Sequence, residues 1–318
     1  MTYQHAAISD NPISLPTLPA WVTSDHAETL ENVAFRSGGV LMVLDRLVTD
    51  KVLGVPVKLL AKRLALKAAT ATSKLEGRLA READIRDAWH LTPPGEARGP
   101  DGDLLAFWRE TACLRPTGRY EPDTIQSLAG QALAGTVGTW LRIGESRART
   151  HGPLAGCVSV LRAVMEVDDR AERVACLLSD IILAQVLRWT NVLPVSAACL
   201  TKASLRDLLA GGPRAELAVQ ASILASIEET VRLARDLAHR AVELRTVAPK
   251  LRARGSDAAV ALFLGEDAIA PSSMLSPMIQ GTAVRMTGRA ARRFCDRLVD
   301  LGVARELTGR ATFRLYGL

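Results

Sequence analysis

The sequence predicts an all-α fold, a multi-helix body followed by a C-terminal winged helix-turn-helix with a small β-hairpin as its wing. Three observations predict it. Only 4% of residues are aromatic although 48% are hydrophobic, so the apolar volume comes mainly from alanine and leucine, which favour helices over strands. Apolar residues recur at helical spacing through most of the chain. Only after Leu301 does the spacing change to alternation, on both sides of a turn.

Residues 1–26 contain Pro12, Pro16 and Pro19 with little periodicity and read as an extended or disordered arm. A helical body is expected over 27–255. Leu30, Val33, Ala34, Ser37, Leu41, Leu44 and Val48 form one stripe, and Pro56 opens a second helix that ends at Gly77; the two should pack as a hairpin. A short helix around Ile85 and Trp89 stops at Pro93-Pro94-Gly95. A loop is then expected from Thr92 to Asp103, before Leu104, Leu105 and Trp108 resume the helical pattern.

Pro122 starts a periodic segment through Ile125, Leu128, Val137, Trp140 and Leu141, with Gly130, Gly135 and Gly138 expected to permit close helix contact. Pro153 starts the next helix. Asp169 and Glu172 have capping-box spacing ahead of Val174, Leu177, Leu178 and Ile181. Pro213 opens a helical pattern to about Ala248, roughly 50 Å at 1.5 Å per residue.

Residues 256–318 read as the winged-helix domain. Helices are expected at Ser256–Glu266 and Ser272–Gln280, and Thr287 should cap a third that runs to Leu301 and ends at Gly302. Val303–Leu307 and Thr312–Tyr316 should pair around a turn at 308–311. Leu262, Phe263, Phe294, Leu298, Leu301, Phe313 and Leu315 are the expected core of this domain.

Composition narrows the function classes. The five cysteines are scattered and form no C-x-x-C pair, which argues against a disulfide scaffold or a zinc ribbon. Met1 to Ala20 is polar and proline-dotted where a secretory leader needs an apolar run, and Val174–Trp189 is interrupted by Asp180, Gln185 and Arg188, so a cytoplasmic protein without a membrane span is expected. Phosphate-binding, dinucleotide-binding, nucleophile-elbow and H-E-x-x-H motifs are absent, and the five histidines have no metal spacing. No cofactor or metal is expected, and an enzyme is the less favoured class. The adjacent acids Asp168-Asp169, Glu228-Glu229 and Glu266-Asp267 could serve a metal or general-acid site, but helix capping and solvated faces explain them as well.

Charge is more informative. From Arg285 to Leu318 there are eight arginines against three acids, most of the net +6 of the whole chain. A second cluster, 232–254, has seven basic and two acidic residues, with Arg232, Arg235 and His239 on one helix face. In the third C-terminal helix Arg289, Arg292, Arg293 and Arg297 point outward, while Arg310 and Arg314 belong to the wing. Duplex DNA is the expected partner of these six, through phosphates or base edges. The alternative is a protein-interaction subunit that uses the winged helix to dock on an acidic partner. A third reading is an enzyme with a pocket where Arg86, Asp87, Trp89, His90 and Trp108 converge beneath the Pro/Gly turn; the plainer account of the same residues is a loop pinned by two tryptophans and an Arg-Asp pair.

Several of these segments together resemble a bacterial family, domain of unknown function 1403 (DUF1403). They are Arg63-Leu64-Ala65-Leu66-Lys67-Ala68-Ala69, Gly77-Arg78, Ile85-Arg86-Asp87-Ala88-Trp89-His90-Leu91, Gly99-Pro100-Asp101-Gly102, Arg188-Trp189-Thr190-Asn191-Val192-Leu193-Pro194, Val247-Ala248-Pro249-Lys250-Leu251-Arg252 and the ending Arg305-Glu306-Leu307-Thr308-Gly309-Arg310 with Phe313-Arg314-Leu315-Tyr316-Gly317-Leu318. Asp101 stands where the family pattern has Ala. The resemblance implies a protein carried on bacterial replicons, often plasmids, and a partner resembling segregation and condensation protein B; plasmid maintenance, regulation or chromosome organisation is the process it suggests. Leu298–Tyr316 is also similar to the winged helix that closes many Fic-type adenylyltransferases. Their H-P-F-x-x-G-N-G-R catalytic motif is missing, so that activity is not expected.

Overall fold

The structure is a computed structural model that describes residues 14–23, 29–93, 95–116, 122–212, 214–251, 253–310 and 312–318. Parts of the arm (1–13 and 24–26), residues 27–28 at the start of the expected body, Pro94 of the loop, 117–121, Pro213, Arg252 of the second basic cluster and Ala311 of the expected turn lie outside the described residues.

The body is helical throughout, with α1 (Ala20–Thr23), α2 (Leu30–Thr49), α3 (Val57–Leu75), α4 (Glu82–His90), α5 (Gly99–Thr111), α6 (Pro122–Ala129), α7 (Val137–His151), α8 (Pro153–Met165), α9 (Glu172–Val186), α10 (Lys202–Leu209) and α11 (Ala215–Val247). The arm is thus not wholly extended. Its turn α1 buries Val22, whose carbonyl accepts a hydrogen bond from Arg36 Nε at 2.8 Å. Thr29 caps α2 by accepting from the Asn32 amide. α2 packs along α11 and not, as expected, against α3 as a hairpin, and α9, with most of its residues buried, forms the centre of the core. No helix among the described residues is long and apolar enough to cross a membrane.

Four local expectations are corrected. The loop before α5 ends at Arg98, because Gly99–Gly102 already forms the first turn of α5, where Pro100 sacrifices no hydrogen bond and Asp101 meets the positive end of the helix dipole. Asp101 also pairs with Arg78. The segment from Pro122 to Leu141 is two helices, broken at Gly130, whose φ of +83° is left-handed. Close helix contact falls at different glycines: a Cβ at Gly156 would stand 2.6 Å from Ala148 Cβ and 2.7 Å from the Gly144 carbonyl, whereas Gly135 and Gly138 have nothing within 4 Å. Finally, no capping box opens α9; Asp168 instead accepts from the Arg170 amide at 3.0 Å, and Glu172 is buried 3.9 Å from Lys202.

The C-terminal unit comprises α12 (Ser256–Phe263), a π-helical turn at Pro271–Leu275, α13 (Gly288–Asp300), β1 (Arg305–Glu306) and β2 (Tyr316–Gly317). β1 and β2 pair antiparallel, and Ile269 forms an antiparallel bridge to Tyr316 on the other side of β2, so a small hairpin follows the last helix, in the order of a winged helix. Thr287 caps α13 by accepting from the Ala290 amide, and Gly302 ends the helix at φ +74° with the Val303 amide returning to the Leu298 carbonyl.

Three details differ from the sequence reading. The expected helix at 272–280 is limited to the 271–275 turn, because Pro277 disfavours helical backbone at Ser276. The hairpin loop spans 308–314 instead of 308–311, since Leu307 already donates to the Leu315 carbonyl at 2.7 Å. Phe313 lies in that loop at φ +56°, 72% exposed, and is not part of the core that Phe263, Phe294, Leu298 and Leu315 share.

Candidate nucleic-acid interface

α13 is the most sharply two-faced helix of the C-terminal unit. Ala291, Phe294, Cys295 and Leu298 are buried, and Arg289, Arg292, Arg293 and Arg297 are exposed on the opposite side. None of these four arginines forms an ion pair among the described residues. Arg289, Arg293 and Arg297 are spaced four apart and line one wall of a groove of about 630 Å³. Lys250 and Ala253 line it as well, over a floor of Leu251, Ala290 and Phe294, with Thr287 also at its edge. No carboxylate lines this groove. Arg292 lies outside it. The same exposed surface of α13 carries Asp300 and Asp296, the latter accepting from Tyr316 Oη at 3.1 Å.

The wing arginines are placed differently. Arg310 Nη2 lies 3.2 Å from Asp87 Oδ2, and Arg86 holds the other oxygen of Asp87 through Nε at 3.0 Å and Nη2 at 2.8 Å. Arg86 Nη2 also donates to the Leu307 carbonyl at 3.2 Å, so the Arg86-Asp87 pair grips the hairpin from α4. Arg314 donates from Nε to the Arg310 carbonyl at 3.1 Å. Within the loop, Glu306 accepts from the Thr308 amide at 2.8 Å and the Gly309 amide at 3.0 Å.

A buried ionic cluster completes this contact. Asp267 is fully buried, paired with Arg109 and 3.2 Å from His90 Nε2, while Glu266 meets Lys62 and lies 3.5 Å from Arg109. Arg63 Nη2 donates to the Leu318 carbonyl at 3.0 Å. Arg98 and Arg109 lie over the Trp89 ring at 4.0 and 4.7 Å from its centre. Burial pushes the Asp267 carboxyl up, but its hydrogen bond to His90 and the charges of Arg109 and Arg63 outweigh this and hold it well below the usual carboxylate range. Burial pulls the Arg63 guanidinium down, partly offset by Asp267.

Of the residues expected to form a pocket, Arg86, Asp87, Trp89 and His90 meet at this junction of body and C-terminal unit. Trp108 does not join them; it is fully buried in the body and donates from Nε1 to Thr72 Oγ1 at 2.9 Å. The sequence reading did not assign Lys250 to the arginine face, nor Lys62, Arg63, Arg109, Glu266 and Asp267 to the junction. Lys250 carried a signal, its place in the second basic cluster. The junction residues carried none, because their partners are 157 to 255 positions away.

The class these features define is an all-helical protein whose C-terminal helix-hairpin unit is latched to its body and exposes one arginine-lined helix. The family model described as Protein of unknown function (DUF1403) matches residues 6–318, and the chain belongs to that family. No curated protein matches it.

Proposed function

We propose that this chain is a non-enzymatic, cytoplasmic DNA-binding protein that contacts duplex DNA through the exposed face of α13. The observation that carries this reading is a set of four exposed arginines with no acidic partner among the described residues, on the last helix before a hairpin. Guanidinium groups left unpaired on a surface are ready to exchange their hydration for phosphate oxygens, and a helix with such a face can approach a groove. Plasmid maintenance, regulation or chromosome organisation is the setting that the family resemblance suggests.

The apolar floor of the groove beside α13 favours a second reading, in which an acidic segment of a partner protein, such as one resembling segregation and condensation protein B, lies across the same arginines. Fluorescence anisotropy on mixed-sequence duplex DNA at low salt separates the two. Wild type is expected to bind and the Arg289→Ala/Arg292→Ala/Arg293→Ala triple variant to bind at least a hundredfold more weakly, from three lost phosphate contacts. If wild type does not bind, or the triple variant binds equally well, the protein-docking reading takes its place.

A further inference from the structure

The two sides of α13 offer a nucleic-acid backbone very different surroundings. On the side of the wing, Arg310 is already engaged by Asp87, Arg86 is spent on Asp87 and the Leu307 carbonyl, and the carboxylates of Asp87 and Glu306 stand beside them. A phosphate arriving there would have to displace Asp87 from Arg310 and then face two carboxylates. On the other side, the groove has Lys250, Arg289, Arg293 and Arg297 and no carboxylate in its lining. From Arg289 to Arg297 the helix rises about 12 Å, the axial length of about three phosphates of one strand.

We infer that the DNA strand flanking α13 lies in this groove, held between Lys250 and the arginines at 289, 293 and 297, and that Arg310 of the wing clasps the body and is not a DNA contact. This rests on the DNA reading above. It adds Lys250, the last residue of the short turn Ala248–Lys250, to the interface. It also removes Arg310.

Lys250→Ala and Arg310→Ala each delete one positive charge, so a contact made only through net charge affects both equally. Wild type and both variants are titrated onto duplex DNA by anisotropy over a range of salt, after a thermal melt confirms that each is folded; if Arg310→Ala is not, Arg310→Gln, which can still hydrogen-bond Asp87, replaces it. The groove predicts that Lys250→Ala binds about eightfold more weakly at 0.1 M salt, with a log-log salt slope shallower by about 0.9, while the Arg310 variant stays within about twofold of wild type and keeps its slope. A loss at Arg310 without one at Lys250, or equal losses at both, overturns the groove and leaves DNA binding standing. Absence of binding by wild type overturns both.

Discussion

The groove side and the wing side of α13 both carry arginine, but the groove arginines have no ion pair among the described residues while Arg310 of the wing is held by Asp87. Arg289, Arg293 and Arg297 line a cavity without carboxylates. Arg310 is tied to Asp87, and Arg86 and Arg109 are tied to acids on or beneath the hairpin. A count of charges along the sequence cannot make this distinction, because it treats a guanidinium that holds two parts of the fold together like one that faces solvent. The surplus that can act on a partner is smaller than the C-terminal total.

This contrast predicts that substitutions on the wing side act on stability and those on the groove side do not. The largest effect is expected from Asp267→Ala, which leaves Arg109 as a buried charge without its main partner and should cost about 3–5 kcal/mol in chemical denaturation. The acid limb of stability should change with it. Because the folded-state pKa of Asp267 is depressed, its contribution is present above the ordinary value of 3.8 and is lost as pH falls from there towards the lower folded value. Wild type should therefore lose stability below about pH 4 more steeply than Asp267→Ala. Equal acid limbs would mean that the cluster does not latch the unit.

Smaller effects follow in order. Thr287→Ala removes the α13 cap and should cost about 1 kcal/mol, read as a lower melting temperature. Arg310→Ala breaks a pair whose arginine is 56% exposed, so less than about 1 kcal/mol is expected. The triple Arg289/Arg292/Arg293 alanine variant should melt within about 0.5 kcal/mol of wild type, since those side chains hold nothing in place. A triple variant that unfolds like Asp267→Ala would erase the difference between the two sides.

Much of the fold was legible because helices announce themselves locally. The spacing of Leu30 to Val48, the prolines at 56 and 153 and the Thr287 cap with its terminal Gly302 each act within a few residues of themselves. The misreadings share one cause, that the deciding neighbour is remote. Gly156 is needed because Ala148 and Gly144 cross it from α7, whereas Gly138, in an equally periodic stretch, meets nothing. Glu266-Asp267 reads as a solvated acidic pair until α3, α4 and α5 supply Lys62, His90 and Arg109. At the candidate interface the outward arginines of α13 were legible from its amphipathic pattern. The groove was not, since Lys250 lines it only because the turn Ala248–Lys250 and Leu251 come to lie beside the helix.

The most direct test of the central claim is the salt dependence of duplex binding by wild type beside the triple alanine variant. Five cations on the groove side and face of α13, Lys250 with Arg289, Arg292, Arg293 and Arg297, predict a log-log slope of about −4.5 for wild type and about −1.8 once three of them are removed. A triple variant with the slope of wild type would contradict the account, because the charges that meet DNA would then lie elsewhere on the molecule.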